Sequence, residues 1–476
     1  MQPLISSQVG LDHAIELANR ALTRVPAERD HVRANGHDGS PILDHAGFLA
    51  LPTTDKAGYL RRHPIPALMW DGDITGAGTY SATSGSTGSP TFFPRDEVAL
   101  DDAVAFYGRI FDESFEIGDH STLVIVCFAM GTWIGGSYSY QAALGLRRAG
   151  KRISVTTPGI DVSAAVTNLV ELGPHYEKVI VAGYPPLVKD VLDQTPESAF
   201  AQDIYVLLAG EAITEGWRDH LLERIGRPAQ PQRVCLMYGT AEAGVMGHET
   251  RVTSAVRRAA MPGSALADAL FGTGTRAIPT FVEVDLTRRY VEVDKDGYLL
   301  FTIDSALPLI RYRINDRGAV LTGHRLREIL VACRHAALAE RVDPDSAFIV
   351  LTGRPDVSTT FYALNIYPAD FAGVFDEPAL TGLVTGKFFA DGSPGDDHEP
   401  ILRVDVELAA NAPTPPTGTR TMLGQLCRSA LTVNNEEFRT LDASREGVGT
   451  TPRISLHAYG TGPFKPGIKH TYVGAK

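Results

Sequence analysis

The stretch Ala82-Thr83-Ser84-Gly85-Ser86-Thr87-Gly88-Ser89-Pro90-Thr91 crowds hydroxyl groups and glycines together as neither a helix nor an ordinary strand does. Glycines let backbone N–H groups approach an anion closely, and the hydroxyls of Thr83, Ser84, Ser86 and Thr87 add donors, so the segment suits a multiply charged phosphate. A flexible Gly/Ser linker has the same composition. It is not a Walker loop, because the GxxxxGK[ST] spacing and its lysine are missing.

A second segment, Met237-Tyr238-Gly239-Thr240-Ala241-Glu242-Ala243-Gly244, directly follows a predicted strand. Ligands gather beyond the carboxyl ends of strands in α/β sheets, where a tyrosine can stack and a glutamate can bind a hard cation. A glycine-rich turn with a solvated glutamate is the plain alternative. A third, Pro308-Leu309-Ile310-Arg311-Tyr312-Arg313-Ile314-Asn315-Asp316, ends on a carboxylate able to accept two hydroxyl hydrogen bonds from one ribose, or to form a surface ion pair with an arginine. The fourth, Gly353-Arg354-Pro355-Asp356 followed by Asn365-Ile366-Tyr367-Pro368, has the Gly/Pro content of a hinge or of a common turn. His248-Glu249, and Cys333 with His335, lack a second pair at ligand spacing and read as structural or exposed. Gly135-Gly136-Ser137-Tyr138-Ser139 lacks the last glycine of a GxSxG elbow, which argues against a serine hydrolase.

These segments need a scaffold, and its pattern is visible in the hydrophobic residues. Leu11, Ile15, Ala18, Leu22 and Val25 recur at helical spacing, and a further helix is expected over Val98 to Phe111. Short apolar runs at 122–128, 153–157, 178–182, 204–208 and 234–237 alternate with helix-length segments, which predicts strands buried on both faces of a parallel-type sheet. After about residue 280, FVEVDL, RYVEVD and YLLFTI divided by charged turns read as antiparallel β. The texture shifts again at LTGRPD (351–356), so the expected division is residues 1–352 and 353–476.

A chain of 476 residues exceeds what one core usually serves, which agrees with two domains. With 44% hydrophobic and 21% charged residues it reads as folded, and 44 basic against 56 acidic side chains, net −12, speak against a nucleic-acid partner. Cys127, Cys235, Cys333 and Cys427 form no CxxC pair, as in a reduced setting. The first 25 residues lack the apolar core of a secretory signal, and the longest apolar run, Leu123 to Met130, is too short to cross a bilayer. The expectation is a cytoplasmic protein with no membrane partner.

In order and spacing, the four segments resemble the core motifs of the adenylate-forming superfamily, which includes acyl-CoA synthetases, nonribosomal peptide adenylation domains and luciferases. Residues 83–90 look like its [ST]SG[ST]TGxP, Tyr238 to Glu242 like its YGxTE, and Asp316 falls where its ribose-binding acid falls. Pro308 to Asp316 is most similar to the P-[VI]-I-R-Y-R-[TS]-x-D of phenylacetate-CoA ligases, and two further segments resemble that branch: Met130-Gly131-Thr132-Trp133-Ile134-Gly135-Gly136 and Ala209-Gly210-Glu211.

The resemblance implies an α/β fold: a large N-terminal ATP- and acid-binding domain with a parallel-type sheet and a β-rich lobe, and a small hinged α+β C-terminal lid, with the site between them. It implies ATP-dependent activation of a carboxylic acid, first guess an aryl or arylalkyl acid, through acyl-AMP with release of pyrophosphate, then transfer to the thiol of CoA. Transfer to an amine or a carrier protein, and a nucleotide-binding homologue without catalysis, are the alternatives. Residue by residue, it implies that Thr83, Ser84, Gly85, Ser86, Thr87 and Gly88 hold phosphates, and that Glu242 and Thr87 bind Mg²⁺. Gly210, Glu211, Ala212, Tyr238, Gly239 and Thr240 lie at the nucleotide, and Asp316 and Arg354 at the ribose. Trp133, Gly135, Gly136, Tyr138, Ala243 and Gly244 lie beside the acid. A homodimer is carried as a candidate assembly. The chain departs from the pattern at Tyr362-Ala363, where relatives have a glycine that admits the pantetheine arm, and in the tail Phe464-Lys465-Pro466-Gly467-Ile468-Lys469, where the catalytic lysine falls on Lys469, displaced by one residue, with Lys465 as substitute.

Overall fold

The computed structural model describes residues 8–82, 91–273, 275, 278–353, 358–362, 364–394, 400–445, 447, 449–464 and 472–473. The candidates Thr83 to Gly88, Arg354, Ala363, Lys465 and Lys469 lie outside them.

The short apolar runs are the strands β3 (Thr122–Cys127), β4 (Ile153–Thr156), β5 (Lys178–Gly183), β6 (Ile204–Ala209) and β7 (Val234–Thr240), preceded in the chain by the hairpin β1 (Thr79–Ala82) and β2 (Phe92–Arg95). β3 through β7 pair in parallel. Their residues alternate between two cores: Val124, Val126, Ile180 and Ala182 face the helices Glu97–Arg109 and Ile134–Arg148, while Leu123, Ile125, Val179 and Val181 face the helices Val162–Glu171, Pro185–Gln194 and Glu215–Arg224. A strand that contacts apolar layers on both faces reads as an unbroken hydrophobic run, which is why β3, β5, β6 and β7 were visible; the edge strand β4 packs Ile153 and Val155 into one core only.

The sheet then turns antiparallel through β8 (Gly244–His248), β9 (Thr280–Val284), β10 (Arg289–Val293), β11 (Tyr298–Ile303), β12 (Leu309–Thr322) and β13 (Ala347–Gly353). The expected antiparallel region is thus continuous with the parallel one in a single eleven-stranded sheet, ordered β10-β11-β12-β13-β9-β8-β7-β6-β5-β3-β4. β8 and β9 share one pairing, His248 with Glu283. The opening helix Gln8–Arg24 buries Leu11, Leu17, Ala18 and Leu22 against Phe48, Tyr290 and Ile310.

Beyond β13 the elements form sheets and a core of their own: β14 (Thr359–Phe361) with β15 (Leu364–Ile366), and β16 (Val384–Pro394), β17 (Pro400–Leu408) and β18 (Arg453–His457). Phe361, Phe371, Val404, Leu423, Cys427 and Phe438 fill that core. The four cysteines are free. Among the described residues no helix is long and apolar enough to cross a membrane, and no cluster of three or more His, Cys, Asp or Glu could hold a metal ion.

Candidate active site

The carboxyl ends of β3, β5, β6 and β7 lie side by side, so the residues that follow them converge, as in other α/β sheets. After β7, the turn 241–243 leads into β8, and the Thr240 hydroxyl accepts the amide of Ala243 at 3.1 Å to close it. Glu242 sits on this turn with its side chain 11% exposed, and its Oε1 lies 3.0 Å from the ammonium of Lys56, itself 33% exposed. Lys56 is placed by main-chain bonds rather than by a helix. Thr54 donates to and accepts from β12 at Arg311 and Arg313, and the Thr54 hydroxyl donates to Ile310. A lone carboxylate that already carries a cation fits Mg²⁺, which takes one or two protein carboxylates and completes its shell with phosphate and water oxygens.

Next to this turn, the Tyr238 phenol donates to Asp316 Oδ2 at 2.5 Å, and both side chains are buried. Tyr138 is also buried, its hydroxyl donating to the Ala99 carbonyl at 2.6 Å and its ring facing Gly244. After β1, the Ala82 amide donates to the Thr132 carbonyl at 2.9 Å, which ties the start of the hydroxyl-rich segment to the turn before Trp133, Gly135 and Gly136. Gly136 is required there: a Cβ would lie 2.3 Å from the Ala129 carbonyl oxygen.

After β6, Gly210 has φ +93° and a Cβ would lie 2.8 Å from the Tyr184 ring. Tyr184 packs edge-on against Phe128 with ring centres 5.2 Å apart, forming an aromatic wall after β3 and β5. Burial, with the charge of Glu211 beside it, pushes the Tyr184 phenol up to about 12, so it is neutral. Glu211 accepts the Tyr472 hydroxyl at 2.7 Å, a bond across 261 residues between the tail and the strand ends. Burial and the Glu211 charge raise the Tyr472 phenol well above its ordinary value. Ala212 is exposed beside it.

A second cross-link lies below. Lys387 on β16 reaches Asp190 of helix Pro185–Gln194 at 2.6 Å and Glu407 of β17 at 3.2 Å, and the Tyr459 hydroxyl donates to Asp190 at 3.1 Å. Burial alone would depress Lys387, but the two carboxylates outweigh it and hold its ammonium above the usual range. Thr214 also donates to Asp376.

The structure therefore gathers Trp133, Gly135, Gly136, Tyr138, Gly210, Glu211, Tyr238, Gly239, Thr240, Glu242, Ala243, Gly244 and Asp316 at one edge of the sheet. Lys56, Tyr184, Arg95 and Tyr472 join them without having been singled out in the sequence. No periodicity marks Lys56 in its polar stretch, and Arg95 opens a mixed-charge run, Arg95-Asp96-Glu97, that carries no local signal of its contact.

No protein-family model matches the sequence, and no curated protein matches it. Among solved structures, several share this architecture. A 2-hydroxyisobutyryl-CoA ligase in the postadenylation state, in complex with R3-HIB-AMP, is similar over 98% of this chain and 89% of that one, at a TM-score of 0.63 and 15% identity. The same ligase in an open conformation with 2-HIB-AMP and CoA covers 93% and 90% at 0.53 and 17% identity. The acyl acid amido synthetase AtGH3.15, in complex with 2,4-DB, covers 94% and 91% at 0.56 and 12% identity.

Proposed function

We propose that the chain activates a carboxylic acid with ATP. A carboxylate oxygen bonds to the α-phosphorus, the bond from that phosphorus to the β-phosphate oxygen breaks, pyrophosphate leaves, and acyl-AMP remains for attack by a thiol or an amine. The observation that carries this reading is the Tyr472–Glu211 hydrogen bond. It ties the tail to the edge where the Glu242 turn and the Tyr238–Asp316 pair lie. Lys469 stands three residues before Tyr472 in the sequence.

Both reactants are anions, so rate enhancement must come from positive charge and alignment. In this reading the hydroxyls of 83–87 hold the phosphates and Lys469 bridges the acid and the α-phosphate. Gly210, Glu211 and Tyr238 frame the adenine, and Asp316 and Arg354 bind the ribose. Glu242, with Thr87, is the residue to hold Mg²⁺, which when bound neutralises phosphate charge. The Phe128–Tyr184 wall supports an aryl or arylalkyl acid. Residues 353–476 act as the lid, with CoA the first acceptor and an amine or carrier protein the alternative. Similarity in fold to both a CoA ligase and an amido synthetase supports keeping both acceptors.

The test is pyrophosphate release across a panel of carboxylic acids, with and without CoA or amines. Acid-dependent release is expected, and its absence for every acid overturns the reading. Lys469→Ala is expected to lower acyl-AMP formation by roughly a thousandfold while ATP still binds, as read by calorimetry.

A further inference from the structure

Arg95 ends β2, and its guanidinium is spent on one turn. Nη2 donates to the carbonyl oxygen of Glu242 at 3.1 Å and to that of Ala241. The residue is 2% exposed, its Nε is buried without a hydrogen-bond partner, and among the described residues no carboxylate forms an ion pair with it. Its charge is offset by the face of Tyr138, 5.9 Å from the ring centre, by the two carbonyl dipoles and, without direct pairing, by the carboxylates of Glu242 and Asp96. Burying a cation without a directly paired carboxylate is costly, and a neutral amide such as Gln could bond two carbonyls. What a guanidinium adds is a rigid planar fork and a permanent positive charge directly behind the turn that carries Glu242. Burial lowers its pKa, but a guanidinium remains protonated across the working range.

We propose that Arg95 is a positioning residue: by gripping the carbonyls of Ala241 and Glu242 from the buried side, it fixes the turn so that the Glu242 carboxylate points out towards the metal-bound triphosphate rather than collapsing inwards. This rests on the reading of Glu242 given above. Arg95 never meets the nucleotide in this role. It closes a chain of contacts running from β2 through the turn to Lys56 at the Glu242 carboxylate.

The test uses the full chain as wild type, Arg95→Lys, Arg95→Met and Arg95→Gly. Hydrogen exchange at the amides of residues 241–244, without nucleotide, reads the grip directly. Calorimetric ATP binding at graded Mg²⁺ reads its consequence, and pyrophosphate release by Arg95→Gly with added guanidinium reads rescue. Expected are exchange at least tenfold faster confined to the turn, an Mg²⁺ requirement raised about tenfold or more, an unchanged KM for the acid, and partial recovery by guanidinium. Wild-type exchange and an unchanged Mg²⁺ requirement in folded Arg95→Met would overturn the proposal. Should that variant not fold, Arg95→Lys decides in the same way, because it keeps charge and bulk but loses the fork. If the wild type binds no ATP at any Mg²⁺ concentration, the functional reading fails instead, and the exchange rates still decide the grip.

Discussion

Glu242 and Glu249 leave the same hairpin, seven residues apart, and the protein treats them in opposite ways. Glu249 is 1% exposed, takes Arg218 through both oxygens at 2.7 and 2.9 Å, Arg257 at 2.6 Å and the Leu236 amide at 3.0 Å. Burial alone would raise its carboxyl, but the two guanidiniums outweigh it and hold the pKa below the ordinary value. Every lone pair is used inside the fold. Glu242 is instead held by its backbone, while its carboxylate pairs with one ammonium, that of Lys56, which is a third exposed. A saturated buried ion cluster builds structure; a backbone-anchored, exchangeable carboxylate is free for chemistry.

The sharpest way to break this contrast is to neutralise each glutamate in turn. Glu249→Gln takes from two buried arginines the carboxylate they share, leaving them Glu215 alone, and is expected to cost about 3–5 kcal/mol of stability, read by urea unfolding, with near-normal turnover in whatever remains folded. Glu242→Gln is expected to lower pyrophosphate release by roughly a hundredfold and to leave the melting temperature within about 2 °C. Exchanged phenotypes would mean that the roles are reversed.

His248, beside Glu249, sharpens the structural side. Burial, with Arg109 nearby, depresses its imidazole from 6.5 to about 3, and neither ring nitrogen has a hydrogen-bond partner. As pH falls below 6.5 the unfolded chain takes up a proton that the folded one refuses. The contribution is therefore intact above 6.5 and is lost at about 1.4 kcal/mol per pH unit as pH falls towards 3. Glu28, raised by burial to about 7, slopes the other way between 4.5 and 7, so the readout is the difference between wild type and His248→Phe in urea midpoints across pH. Equal slopes in the two proteins would remove His248 from this account. The smallest effect concerns the other edge of the site. Tyr472→Phe removes one bond to a charged acceptor, expected at about 1.5–3 kcal/mol at most, seen as a several-fold fall in pyrophosphate release without a change in the core helices by circular dichroism.

Most of the scaffold was legible because residues that face two apolar layers leave a continuous signature, as in β3 and β5, and because the capped, periodic helices start near their expected positions. The helix expected over Val98 to Phe111 runs from Glu97 to Arg109 and then loosens into a π turn at Ile110–Ser114, which spacing alone does not mark. Glu242 was legible from glycines after a strand. Its neighbours were not: Arg95 and Tyr472 act on partners 147 and 261 residues away, and a contact made by closing the chain leaves no local periodicity.

The single pairing between β8 and β9 has a consequence for assembly. Among the described residues, β3 through β8 pair with one another within 122–248 and β9 through β13 with one another within 280–353; His248 with Glu283 joins the two groups, and Thr54 bridges to Tyr312 of β12 from outside them. As the ribosome delivers the chain from its N-terminus, the first ladder can be complete before the second has emerged, and the two meet afterwards mainly through side chains. The eleven-stranded sheet can thus be made in two instalments, the second closing when β13 reaches β9.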